Sequence, residues 1–182
     1  MTKRIKITGI SGSLRENSSN TNILMQMASK IADDVDFSIY NGIGQLPHFS
    51  PEVDGENVPL AVKNFRDEIR ASDGIIICTP EYAFGVPGSL KNALDWTVSS
   101  GEFVNKPLAL ITASLSGEKG HAALMHTLTA LSTDTPEERA LLIPFIRTKL
   151  DEKGFIKTPE LLQSLQHIVN SLIETCRKNN SQ

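Results

Sequence analysis

Two uninterrupted apolar runs constrain this chain more than any other feature. Residues 74–80 read GIIICTP and residues 107–113 read PLALITA. Neither run alternates polar with apolar, so neither can lie with one face in water. Strands of this kind are covered on both faces, as in a parallel sheet flanked by helices. The rest of the chain supplies the helices and the remaining strands. Ile5, Ile7, Gly9 and Ile10 make a first strand, and residues 35–40, VDFSIY, alternate as a second. Residues 140–146, ALLIPFI, read as a fifth, although Pro144 removes a ladder donor.

Between the strands, Ile23, Leu24, Met27, Ala28 and Ile31 recur at helical spacing. A second helix is expected over 60–71, with Val62, Phe65 and Ile69 inward, and a third over 87–96, with Leu90, Ala93 and Leu94 inward. A fourth should run from about His121 to Leu131. The last opens with Thr158 as N-cap and Pro159 at the first helical position. The tail KNNSQ is expected to fray. Residues 41–59, rich in Gly, Pro and Asn, form a long loop. Alternating strands and helices over 182 residues predict one α/β domain spanning 1–182, with few right-handed topologies open to it.

Bulk properties exclude several functions. A net charge of -3 leaves no electrostatic footprint for nucleic acid. Cys78 and Cys176 form no C-x-x-C pair, which argues against a disulfide framework or zinc site. His48, His121, His126 and His167 are scattered without metal-ligand spacing. The N-terminus has a strand pattern in place of an apolar leader, and no apolar run reaches membrane-spanning length. The expectation is a soluble, cytoplasmic protein with no membrane partner.

In a doubly wound sheet, ligands bind outside the carboxyl ends of the strands, where the winding reverses. Three turns leave those ends with unusual composition. The first, ISGSLRENSSN at 10–20, leads into a helix N-terminus, whose free N–H groups and dipole attract anions. Ser11, Ser13, Ser18 and Ser19 add hydroxyls, and Asn20 adds an amide that could also cap the helix. Arg15 can hold a phosphate through two donors. A cap cluster with one solvated arginine is the plainer reading, but it needs only one or two of these residues. The turn lacks G-x-G-x-x-G and G-x-x-x-x-G-K-[ST], so neither a dinucleotide pyrophosphate nor a P-loop phosphate is indicated. It also lacks the cysteine that a phosphatase loop needs, and Cys78 reads as core. A mononucleotide-like phosphate remains. The second turn, TPEYAFGVPG at 79–88, carries Tyr82 and Phe84, aromatic surface suited to a flat ring. The third, ASLSGEKGH at 113–121, adds Ser114, Ser116, Gly117 and Gly120 as possible donors to a polar ring edge.

Two stretches here resemble a known family. GSLRENSSN at 12–20 is similar to the G-S-L-R-x-x-S-x-N signature of the NADPH-dependent FMN reductases. PEYAFGVPGSLKNALDW at 80–96 resembles that family's second signature, P-E-Y-x-x-x-x-P-G-x-L-K-N-A-[LI]-D-W. The order of elements is similar over almost the whole chain, and the likeness is weakest from 118 to 139. The resemblance implies a flavodoxin-like three-layer sandwich with a five-stranded parallel sheet in order 2-1-3-4-5. It implies that Ser11, Ser13, Leu14, Arg15, Ser18, Ser19 and Asn20 surround the phosphate of FMN. Pro80, Glu81, Tyr82, Ala83 and Phe84 would line the isoalloxazine and ribityl chain, with Ser114, Ser116 and Gly117 at the ring's far edge. NADPH or NADH would be the electron donor, and a quinone, azo compound, free flavin or metal ion the small-molecule acceptor.

The resemblance also implies a homodimer or homotetramer packed around the helix after the third strand. Lys91 and Asp95, four apart on that helix, read as an ion pair or a subunit contact. No acid–base dyad or triad is evident, consistent with a cofactor that carries the chemistry. Two rival readings are a non-enzymatic flavodoxin-type electron carrier and a binding module that keeps the fold without the flavin. A carrier needs a strongly charged docking face, against which the mild net charge argues.

Overall fold

The computed structural model describes residues 4–32, 34–55 and 57–181. Its strands are β1 (Ile5–Ser11), β2 (Val35–Tyr40), β3 (Gly74–Thr79), β4 (Leu108–Ala113) and β5 (Ala140–Ile143). Its helices are α1 (Ser19–Ala28), α2 (Leu60–Ala71), α3 (Gly88–Asp95), α4 (Glu118–Ala130) and α5 (Pro159–Asn180). The strands form one sheet in the order β2-β1-β3-β4-β5, and every neighbouring pair is parallel. After β1 the chain adds β2 on one side and then crosses to place β3 on the other. The winding therefore reverses between β1 and β3.

The two apolar runs do what their patterns require. In β3, Ile75 and Ile77 join a core with Phe65, Leu90 and Leu124 from α2, α3 and α4 and with Trp96, the C-cap of α3. Ile76 and Cys78 point the opposite way, into a core with Leu24, Met27, Leu165 and Leu172 from α1 and α5. β4 splits in the same manner, Leu108 and Leu110 to one core and Ala109 and Ile111 to the other. A period-two backbone packed on both faces buries the side chains of both, so the polar–apolar alternation is lost. Cys78 is fully buried, as its place in β3 suggests.

Several boundaries differ from those expected. α4 begins at Glu118, not near His121, because Glu81 caps its N-terminus from a distant turn. β5 ends at Ile143, not Ile146, and Phe145 turns into left-handed backbone at φ 54°. α3 begins at Gly88, with Pro87 as its extended N-cap residue in place of a first helical one. α5 continues through Asn180, so Lys178 to Asn180 are helical where fraying was expected, while Gln182 lies outside the described residues. The 41–59 loop holds two short 3₁₀ turns, Ile43–Gln45 and Pro51–Val53. It is tied to α3, where Trp96 Nε1 and Asn92 Nδ2 both donate to the Pro47 carbonyl, at 2.8 and 2.9 Å. Buried Arg66 donates to the Trp96 carbonyl and pairs with Asp54 at 2.6 Å. Among the described residues, no helix is long and apolar enough to cross a membrane.

Candidate functional site

The carboxyl ends of β1, β3, β4 and β5 open into a cleft of about 330 Å³. Its first wall comes from the β1–α1 turn. Gly12 is required there: a Cβ at this position would lie 2.1 Å from Thr79 Oγ1. That close approach, with the Gly12 N–H donating to the Cys78 carbonyl at 2.8 Å, fixes the path of the turn. Ser18 is the N-cap of α1, and its Oγ accepts from the Asn20 N–H at 3.2 Å. The cap is therefore Ser18, not Asn20. No acidic residue occupies the first turn of α1, so nothing opposes an anion at its positive end.

The polar residues of this turn divide into two groups. Ser13, Arg15, Ser18, Ser19 and Asn20 line the cleft. Ser11 is buried in bracing bonds: it accepts from Thr21 Oγ1 at 2.9 Å and donates to the Ser13 carbonyl at 3.3 Å. Asn20, although it lines the cleft, spends its amide internally. Its Nδ2 donates to the Ala113 carbonyl at 3.4 Å and its Oδ1 accepts from Cys78 Sγ at 3.3 Å. Asn20 thus ties α1 to the ends of β3 and β4, and burial holds the Cys78 thiol well above its ordinary pKa. Leu14 is exposed outside the cleft lining, with its side chain over Gly44.

The second wall is the turn after β3. Tyr82 and Gly85 exchange both backbone hydrogen bonds, at 3.1 and 2.9 Å, closing a two-residue hairpin. The central residues, Ala83 and Phe84, both have positive φ, 49° and 61°. This is the geometry of a type I′ turn, which Asn and Gly ordinarily fill. Two side chains in left-handed backbone store strain, a condition that clusters at ligand sites. The turn holds Tyr82 half-exposed on the cleft and Phe84 71% exposed beyond it. Pro80, Glu81 and Tyr82 line the cleft, whereas Ala83 and Phe84 do not.

Glu81 is the joint between the second and third turns. Its carboxylate accepts from the Gly120 N–H at 2.6 Å and from Ser116 Oγ at 3.1 Å. The Gly120 N–H is the main reason its pKa lies below the usual carboxylate range, with Ser116 and the Gly117 and Lys119 N–H groups assisting against partial burial. Its own N–H donates to Ser114 Oγ at 3.1 Å. The hydroxyls of Ser114 and Ser116, read from the sequence as donors to a ligand, are engaged by Glu81 here. Ser114 still lines the cleft, while Ser116 and Gly117 stand behind it. Gly117 has φ 93° and sits against Leu142, where a Cβ would come within 2.8 Å. His121, in the first turns of α4, pairs through Nδ1 with Thr112 Oγ1 at 2.8 Å, and burial lowers its pKa.

The remaining wall, Leu115 and Phe145 to Thr148, was not expected from the sequence. Its one signal is Pro144, which ends β5 early and sends the chain back across the β4 turn. The N–H groups of Phe145 and Ile146 donate to the carbonyls of Leu115 and Ser114, at 3.0 and 3.1 Å.

A 2-1-3-4-5 parallel sheet, with a hydroxyl-rich helix N-terminus and an aromatic turn facing one cleft at the switch point, defines a flavodoxin-like α/β protein. The sequence profile of the NADPH-dependent FMN reductases matches residues 5–140, and the chain belongs to that family. It is 33% identical over 172 residues to an NAD(P)H-dependent FMN reductase of Pseudomonas aeruginosa, covering 90% of this chain and 92% of that protein. It is 32% identical over 171 residues to a 2-hydroxy-1,4-benzoquinone reductase of a Burkholderia species, covering 89% and 91%. Among solved structures, the FerB NAD(P)H:(acceptor) oxidoreductase of Paracoccus denitrificans shares the fold. It superposes with a TM-score of 0.79 at 24% identity, over 96% of this chain and 98% of that one.

Proposed function

We propose that this chain is a single-domain FMN-dependent NAD(P)H oxidoreductase, cytoplasmic, reducing a small aromatic acceptor of the quinone or azo type. The observation that carries the reading is the cleft itself. One wall offers hydroxyls, a guanidinium and a helix N-terminus, and the facing turn offers a rigid aromatic surface. A phosphate-bearing planar molecule needs both.

FMN fits this donor set. Ser13, Ser18 and the free N–H groups at the start of α1 would hold its phosphate, and Arg15 would offset the charge. Pro80, Glu81 and Tyr82 would flank the ring. FMN, when bound, supplies the chemistry, accepting two electrons from the reduced nicotinamide and passing them to the acceptor.

The protein's own part is positioning and shielding. Glu81 binds the Tyr82 turn to α4, so the ring-facing wall cannot swing. Ser18 orders the first turn of α1 so that its remaining N–H groups converge. Exposed Phe84, Leu115 and Phe145 give the rim an apolar surface on which flat acceptors and the nicotinamide can pack. The same apolar rim supports the reading of a homodimer or homotetramer, in which it would be partly covered. Lys91 and Asp95 pair with each other at 2.5 Å, which accounts for that i,i+4 spacing within one chain.

The test is purification followed by visible spectroscopy and steady-state oxidation of NADH and NADPH with a panel of quinones and azo dyes. A flavin spectrum with turnover is expected. Bound FMN without turnover of any acceptor would make the chain an electron carrier. A colourless protein that takes up no added FMN would make it a binding module.

A further inference from the structure

The segment after β5 lies outside the stretch that matches the family profile, which ends at residue 140. Yet it contributes Phe145, Ile146, Arg147 and Thr148 to the same cleft as Ser13, Arg15 and Ser18. Arg147 is exposed, and among the described residues its guanidinium has no ion pair or hydrogen bond. The same holds for the Arg15 guanidinium on the opposite wall. Among the described residues, Glu81 is the only carboxylate lining the cleft, and the N–H of Gly120 and the hydroxyl of Ser116 already occupy it. Among the described residues, two unpaired guanidiniums therefore share one cleft with no free carboxylate.

Arg147 is carried on an anchored wall. The Phe145 and Ile146 N–H groups are bonded to the β4 turn, and Thr148 Oγ1 donates to the Phe145 carbonyl at 2.8 Å. Farther on, Ile156 is clamped at both backbone groups by Gln26 of α1: its N–H donates to Gln26 Oε1 at 2.9 Å, and its carbonyl accepts from Gln26 Nε2 at 3.3 Å. Asn22 Nδ2 donates to the Gly154 carbonyl at 3.4 Å. Residues 145–156 thus run as a strap from the β4 turn to the flank of α1, the helix whose N-terminus forms the anion cup.

We infer that Arg147 is a second phosphate-binding guanidinium, so that a phosphomonoester dianion is held between two arginines on separate walls. The inference rests on the flavin reading above and assigns the dianion to the 5′-phosphate of FMN. Two guanidiniums match the charge of a dianion more fully than a single arginine, neutral hydroxyls and a helix N-terminus do. The 2′-phosphate of NADPH has the same chemistry, and the test separates the two sources.

Flavin-free protein is titrated with FMN and with riboflavin, following the quenching of flavin fluorescence, for the wild type, Arg147→Ala and Arg147→Lys. Arg147→Ala should weaken FMN binding roughly tenfold and leave riboflavin binding unchanged. Arg147→Lys should recover part of the loss, and the salt dependence of FMN binding should become shallower in the alanine variant. Thermal melts of the flavin-free variants should match the wild type, since the guanidinium has no hydrogen bond or ion pair among the described residues to lose. Unchanged FMN affinity, or an equal loss for both flavins, overturns the inference alone. So does a rise in KM for NADPH but not NADH with FMN affinity intact, which would give Arg147 to the dinucleotide. Wild-type protein that binds no FMN would remove both this inference and the flavin reading.

Discussion

Glu81 offers the sharpest test of how the cleft is held together. Its carboxylate sits at the N-terminus of α4, where it accepts from the Gly120 N–H at 2.6 Å and from Ser116 Oγ at 3.1 Å. Loss of a side-chain cap costs about 0.5–2 kcal/mol, and the charge at a helix N-terminus adds about 0.3–1 kcal/mol at a partly exposed site. Glu81→Ala should therefore cost about 2 kcal/mol and lower Tm by roughly 4–8 °C in a domain of this size. Glu81→Gln keeps the shape and loses the charge, and should cost about 1 kcal/mol. The sign of the pH dependence follows from the depressed pKa. The contribution of the charge is complete above the unfolded-state value, about 4.3, and is lost as pH falls through the lower folded-state value. Urea unfolding of wild type and Glu81→Gln at pH 7, 5 and 3.5 should give a constant gap at the first two and a smaller one at the third. A gap of the same size at all three values, or none at pH 7, would refute the capping role.

The remaining predictions concern other joints of the fold and site. Arg66→Ala leaves half-buried Asp54 and the buried Trp96 carbonyl without the Arg66 donor, and should cost about 3 kcal/mol in urea unfolding. Adding Asp54→Asn should restore part of that loss. Ala83→Val places a β-branched residue at φ 49° and should destabilise by about 1–3 kcal/mol, whereas Ala83→Gly should stabilise by about 0.5 kcal/mol. The opposite signs in thermal melts are the check on strain in that turn. Arg15→Ala should weaken FMN binding by about 1.5 kcal/mol in a fluorescence titration, since one exposed charge-assisted contact is lost.

What could be read from the sequence, and what could not, divides along physical lines. The runs at β3 and β4 announce their burial on both faces, and from that the parallel sheet and its flanking helices follow. The polar turn at 10–20 stood out because its composition exceeds what a cap requires, and Ser13, Arg15, Ser18, Ser19 and Asn20 do line the cleft. The division of labour within it was not legible. Whether a serine hydroxyl faces a ligand or a neighbouring residue depends on side-chain direction, which composition does not specify. Thus Ser11 and Asn20 brace the turn, and Ser114 and Ser116 serve Glu81. The early start of α4 was hidden because its cap lies 37 residues upstream, from Glu81 to Glu118. The Phe145–Thr148 wall was hidden for a related reason. An apolar run through Pro144 looks like one strand, and only the partner carbonyls of Ser114 and Leu115 show where the chain turns.

A switch-point cleft that recognises a flavin through its phosphate should tell FMN from riboflavin when flavin-free wild-type protein is titrated with each under identical salt. Saturable binding of one FMN per chain is expected, with riboflavin bound roughly two orders of magnitude more weakly. Riboflavin bound as tightly as FMN, or no saturable binding of FMN, would contradict that recognition.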